Sequence, residues 1–122
     1  MKKMLAFIVV LYLFLFCICA QAGEADVVKA VVKQTGELTY HFDITVAHAD
    51  TGWDHYADKW DVVAPDGTVL GTRILHHPHV NEQPFTRSLS NIKIPVSIDR
   101  VTIRAHDSVH KYGGQVMNVE LL

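Results

Sequence analysis

Histidine is the residue type in this chain with the most unspent chemistry. All eight histidines lie beyond residue 22, a density several-fold above ordinary usage. In His76-His77-Pro78-His79 the proline ring stiffens the segment between two imidazoles, so that His77 and His79 can clamp one ion. Two further clusters, Trp53-Asp54-His55-Tyr56 and His106-Asp107-Ser108-Val109-His110, add nitrogen and carboxylate donors. The candidate metal ligands are therefore His77, His79, His110, His55 and His106, with Asp54 or Asp107 as an additional ligand or an orienting carboxylate. Imidazole suits zinc, copper(II) and nickel, whereas a copper(I) site wants thiolate or thioether donors. Both cysteines, Cys17 and Cys19, precede residue 22, and Met117 stands alone in a strand. The expected cofactor is zinc or copper(II).

Two other chemistries compete for the same residues. Trp53, Tyr56, Phe85 and Tyr112 can form an aromatic surface, with His76, Glu82, Gln83 and Arg87 as polar contacts, which would make the chain a metal-independent module for a small ligand or a protein. Alternatively, Ser108 with His110 or His106 and Asp54, or a metal-bound water at the histidine site, offers the chemistry of a hydrolase. Ser108 lies in no strand-turn-helix elbow, however, and its adjacency to Asp107 is not triad geometry.

What must position these residues is a set of strands. Period-two alternation dominates beyond residue 25, and no run of ten residues carries a helical stripe. Asp26–Gln34 reads as a strand, followed across Thr35-Gly36-Glu37 by a second at 38–48, where Leu38, Tyr40, Phe42, Ile44 and Val46 share one face and Thr39, His41, Asp43 and Thr45 the other. Further strands are expected at 59–64 and 69–75 around Pro65-Asp66-Gly67, at 84–89 and 91–94, at 101–106 and at 115–121. Trp60 is the expected core tryptophan. About seven short strands in about 100 residues predict an all-β, two-sheet sandwich of the immunoglobulin or fibronectin type III kind.

In such a sandwich, successive connections alternate between the two ends. One end receives plain turns at 35–37, 65–67 and 95–99. The other receives the loops at 52–58, 76–83 and 107–114, which carry the histidine and aromatic clusters, so function is expected there.

Residues 1–22 have the form of a secretory signal peptide: Lys2-Lys3, an apolar run to about Cys19, and Ala20-Gln21-Ala22 as the cleavage triplet. Neither cysteine follows the small residue that lipid attachment needs. The mature chain, 23–122, is then a single periplasmic or secreted domain without a disulfide and without stable membrane insertion. Beyond the leader, nine Lys and Arg face thirteen Asp and Glu with no basic run, which argues against nucleic acid as a partner and leaves a protein or small ligand of the cell envelope.

The segments GWDHYAD at 52–58, HPHVNEQPFTRSL at 77–89 and AHDSVHKYGG at 105–114 resemble those of a family of small exported bacterial β-sandwich proteins. The likeness covers most of the mature chain. It implies one exported domain and brings no reaction with it.

Overall fold

The computed structural model describes residues 23–121; the signal-peptide reading falls on residues 1–22, outside the described residues. Seven strands are present: β1 (Asp26–Gln34), β2 (Thr39–Ala47), β3 (Ala57–Val63), β4 (Val69–Ile74), β5 (Phe85–Lys93), β6 (Arg100–Asp107) and β7 (Met117–Glu120). They form two antiparallel sheets, a three-stranded one in the order β1-β2-β5 and a four-stranded one in the order β4-β3-β6-β7. The fourth strand pairs with the third, which is the fibronectin type III variant of the immunoglobulin-like sandwich expected from the sequence.

The alternation in β2 sets the core. Phe42, Ile44 and Val46 are fully buried and Tyr40 nearly so, facing Trp60 and Val62 of β3 and Val101, Ile103 and Ala105 of β6 across the sheets. Leu38 departs from the expected face: it is 37% exposed and belongs to the turn before β2. The two short strands expected at 84–89 and 91–94 are one strand, β5. Its pairing with β2 shifts between Tyr40 and Phe42, and Asn91 takes a φ of 59°. This is a bulge at a residue type that tolerates the left-handed region. The extra residue returns Ile92 and Ile94 to the core side on which Phe85 already lies.

Register places the three histidine-bearing loops together. Asp26 pairs with Ala47, Val46 with Phe85, and Ala57 with Asp107. The end of β2, the start of β3, the start of β5 and the end of β6 therefore meet at one end of the sandwich, along with the entry to β1. The plain turns occupy the opposite end, with Gly67 at φ 94° in the β3–β4 hairpin.

Truncating Phe42 to alanine should cost about 3–5 kcal/mol, as expected for a fully buried aromatic. Urea unfolding measures this, and a loss below about 0.5 kcal/mol would mean that β2 presents its other face to the core.

Candidate metal centre

The core rows of β2 and β6 do not stop at their last apolar residue. In β2 the inward parity of Phe42, Ile44 and Val46 continues to His48 and Asp50, both buried. In β6 the parity of Val101, Ile103 and Ala105 continues to Asp107, which has no solvent exposure at all. Two carboxylates and an imidazole thus close the histidine-bearing end of the core, where each must find partners within the protein.

Asp107 finds them on both oxygens. Oδ1 accepts from the backbone N–H groups of Val109, His110 and Lys111, which turns the chain out of β6. Oδ2 faces three imidazoles: His48 Nε2 at 2.9 Å, His55 Nε2 at 3.0 Å and His110 Nδ1 at 3.1 Å. His48 is held from behind, its Nδ1 lying 2.5 Å from Asp50 Oδ1. Asp50 also accepts from the backbone N–H of Ala57 at 3.1 Å and of His79 at 2.7 Å, so one carboxylate ties the β2–β3 and β4–β5 loops together.

The surroundings of His48 Nε2 decide what the cluster can do. Within 3.3 Å of this one ring nitrogen lie Asp107 Oδ2, the Gly23 carbonyl oxygen and His55 Nε2. A single N–H satisfies one such acceptor, whereas a cation at the centre is attracted to all of them. His48 Nε2, His55 Nε2 and Asp107 Oδ2 make a triangle with edges of 2.9, 3.0 and 3.3 Å. Donors about 2.0–2.1 Å from one ion stand about 2.9 Å apart at a right angle and about 3.3 Å apart at a tetrahedral angle. The spacing of these three donors is therefore compatible with one imidazole-preferring divalent ion. Asp50, bonded to His48 Nδ1, stands where a carboxylate would fix the tautomer of a ligating histidine.

The charges reinforce one another. Burial alone would raise the Asp107 carboxyl, but hydrogen bonds from His110, His55 and His48 outweigh it and hold the group far below the usual carboxylate range. The same bond to Asp107 raises His110, against a smaller opposing effect of burial.

Among the residues expected from the sequence, His55, His110 and Asp107 come together here. His77 and His79 do not enter the same group. Their rings lie against each other with centroids 4.6 Å apart, and His79 stacks on Phe85 and is tied to the cluster through its backbone, by Asp50 and by Gln83. Burial, then the Arg87 guanidinium and His77, lowers His79. Since Arg87 Nη2 donates to His79 Nε2 at 2.9 Å, the ring proton sits on Nδ1, which is buried without a partner among the described residues. His106, next in sequence to Asp107, points to the opposite face of the sheet and pairs with Asp58 at 2.6 Å. His76 is exposed, and Asp54 contributes a backbone carbonyl to Ser108 rather than its carboxylate.

The other expected contacts are dispersed. Gln83 bridges the His48 backbone N–H and the His79 carbonyl, and Glu82 pairs with Arg87 at 3.3 Å. Trp53, 66% exposed, packs edge-on to Tyr56, while Phe85 is buried. Tyr112 lies under the Arg104 guanidinium and donates to buried Asp61 at 2.6 Å on the outer face of the four-stranded sheet. Ser108 Oγ accepts from the backbone N–H of Tyr56, so it braces two loops and faces no imidazole as a nucleophile would.

His48 and Asp50 are the two members of the cluster missing from the sequence reading. Their signal was their parity with Phe42, Ile44 and Val46.

Compared with known proteins, 97 residues, 80% of this chain, are 42% identical to a protein of Halomicrobium mukohataei described as "Putative lipoprotein". The aligned part is 47% of that protein, so the chain spans about half the length of the curated relative it matches. No family model matches, and neither does any solved structure.

The shifts of Asp107 and His110 make the stability contributed by this pair depend on pH. Asp107 is depressed in the fold, so its stabilisation is present above about pH 4 and lost as pH falls through the lower folded value. His110 is raised, so its stabilisation is fully present below about pH 6.5 and lost as pH rises through the higher folded value. His110→Ala should therefore cost chelator-treated protein more of its resistance to urea at about pH 5 than at about pH 8, and an equal cost at both would contradict this account of the cluster.

Proposed function

We propose that the chain is an exported β-sandwich protein that binds one divalent transition-metal ion, zinc or copper(II), at the end of its core. His48, His55 and Asp107 hold the ion, and His110 closes over it from the exposed side. The observation that carries this reading is the convergence of two imidazole nitrogens and a buried carboxylate oxygen on a common centre, with Asp50 bonded behind His48. Export rests on the leader-like residues 1–22 and accords with the description of the relative as a lipoprotein. Ser108, the candidate nucleophile, is committed to backbone contacts, so the reading carries no serine-dependent hydrolysis.

A second reading keeps one observation in its favour. The exposed Trp53, backed by Tyr56, adjoins the same loops and could receive a protein or small ligand without a metal. Metal dependence separates the two readings.

Chelator-washed protein should take up one equivalent of zinc or copper(II) and melt at a higher temperature in its presence. His48→Ala and His55→Ala should each weaken binding by one to two orders of magnitude, about 1.4–2.7 kcal/mol, while His41→Ala and His106→Ala should leave it nearly unchanged. Affinity should fall below about pH 6, because each imidazole must lose a proton to ligate. Absence of uptake by calorimetry, with no change in melting temperature, would leave the metal-independent module as the better account.

A further inference from the structure

The most unexpected neighbour of the imidazole cluster is the start of the described chain. The carbonyl oxygen of Gly23 lies 3.0 Å from His48 Nε2, and a Cβ added to Gly23 would come within 3.1 Å of the His110 ring. Gly23 therefore sits between two of the imidazoles, and a Cβ there would press on the His110 ring, which would have to give by a few tenths of an ångström.

This position is built. Ala25 and Val27 are buried in the core, and the Val27 backbone N–H donates to the Gln115 carbonyl at 2.9 Å. Asp26 accepts from the Gln115 backbone N–H at 2.7 Å. The loop between β6 and β7 makes room for the segment with two glycines: a Cβ at Gly114 would overlap the Ala25 carbonyl, and one at Gly113 would stand 3.3 Å from Glu24 Cγ. Residues 23–27 are held against the site by these contacts within the described residues.

The sequence puts the expected leader cleavage at the Ala22–Gly23 bond. We infer that this cleavage completes the metal centre: hydrolysis converts the Gly23 amide nitrogen into a primary amine, and the amine and carbonyl oxygen of Gly23 then chelate the ion held by His48, His55 and Asp107. Water adds across the peptide bond, the carboxylate leaves with Ala22, and the nitrogen gains the lone pair that amide resonance had withheld. An α-amine and its own carbonyl oxygen close a five-membered ring around an ion, so an oxygen already beside His48 Nε2 brings the amine within reach by rotation about Gly23. The inference rests on the metal-binding reading. It adds that affinity is set by processing: the precursor binds weakly, and the exported, trimmed protein binds tightly.

The test compares mature protein starting at Gly23, released from a fusion without extra residues, with the same protein retaining Ala20-Gln21-Ala22. Copper(II) is titrated against a competing chelator, and the nitrogen couplings of the bound ion are read by electron paramagnetic resonance. The extended protein should bind at least tenfold more weakly and lose one coupled nitrogen, while the two metal-free forms melt at the same temperature. His48→Ala should weaken binding in both forms. Equal affinities and identical spectra, with His48→Ala still damaging, would overturn the role of the amine and leave the metal site standing. Failure of both forms to bind copper(II) or zinc would remove the inference and the reading beneath it together.

Discussion

A carboxylate with no access to water must be surrounded by donors or be lost to protonation, and Asp107 imposes that constraint on one whole end of this molecule. Its Oδ1 shapes the exit from β6 by gathering three successive backbone N–H groups, and its Oδ2 fixes where His48, His55 and His110 can stand. Asp50 does the same one strand-pair away, joining His48 to the loops on either side. Removing either carboxylate would leave several buried donors unsatisfied, each costing about 1–3 kcal/mol. The end of the sandwich is thus organised by polar groups as strictly as the middle is by Trp60 and Phe42.

This arrangement explains how a disulfide-free sandwich keeps long loops in order. The β2–β3 and β4–β5 loops are joined through Asp50 and Gln83, and the β2–β3 and β6–β7 loops through the two-way backbone and hydroxyl contacts of Ser108 with Tyr56. Tyr112 pins the far side of the β6–β7 loop to Asp61, which also accepts from Arg104 and Thr72. Rigid placement of ligand atoms by such supporting bonds is what a metal centre needs, since poorly fixed donors lose affinity to their own ordering.

Much of this was legible in the sequence because alternation is a local property. The buried face of β2, the inward Trp60, the two hairpins and the gathering of histidine loops at one end all follow from parity and turn chemistry. The same parity runs on from Val46 to His48 and Asp50, and from Ala105 to Asp107. The usual expectation that ionisable side chains face water is what conceals them. His77 and His79 attract attention through their spacing around Pro78, yet their neighbourhood is set by the β2–β5 register and by stacking on Phe85, which no local pattern encodes. The approach of Gly23 to His48 likewise depends on the β1–β2 pairing and on space left by two glycines nearly a hundred residues away.

The irregularity in β5 acts beyond the core it serves. β5 is an outer strand of the three-stranded sheet, paired with β2 along one edge and, among the described residues, with no strand along the other. A straight, evenly spaced edge of that kind is a template on which a strand from another molecule can form. The extra residue and the left-handed turn at Asn91 break the spacing in the last third of the strand, so an approaching strand in register with residues 85–89 is out of register beyond Asn91. The residue that brings Ile92 back to the core thereby also limits growth of the sheet into a neighbouring copy, which protects against edge-to-edge aggregation a domain with no cysteine to lock its fold.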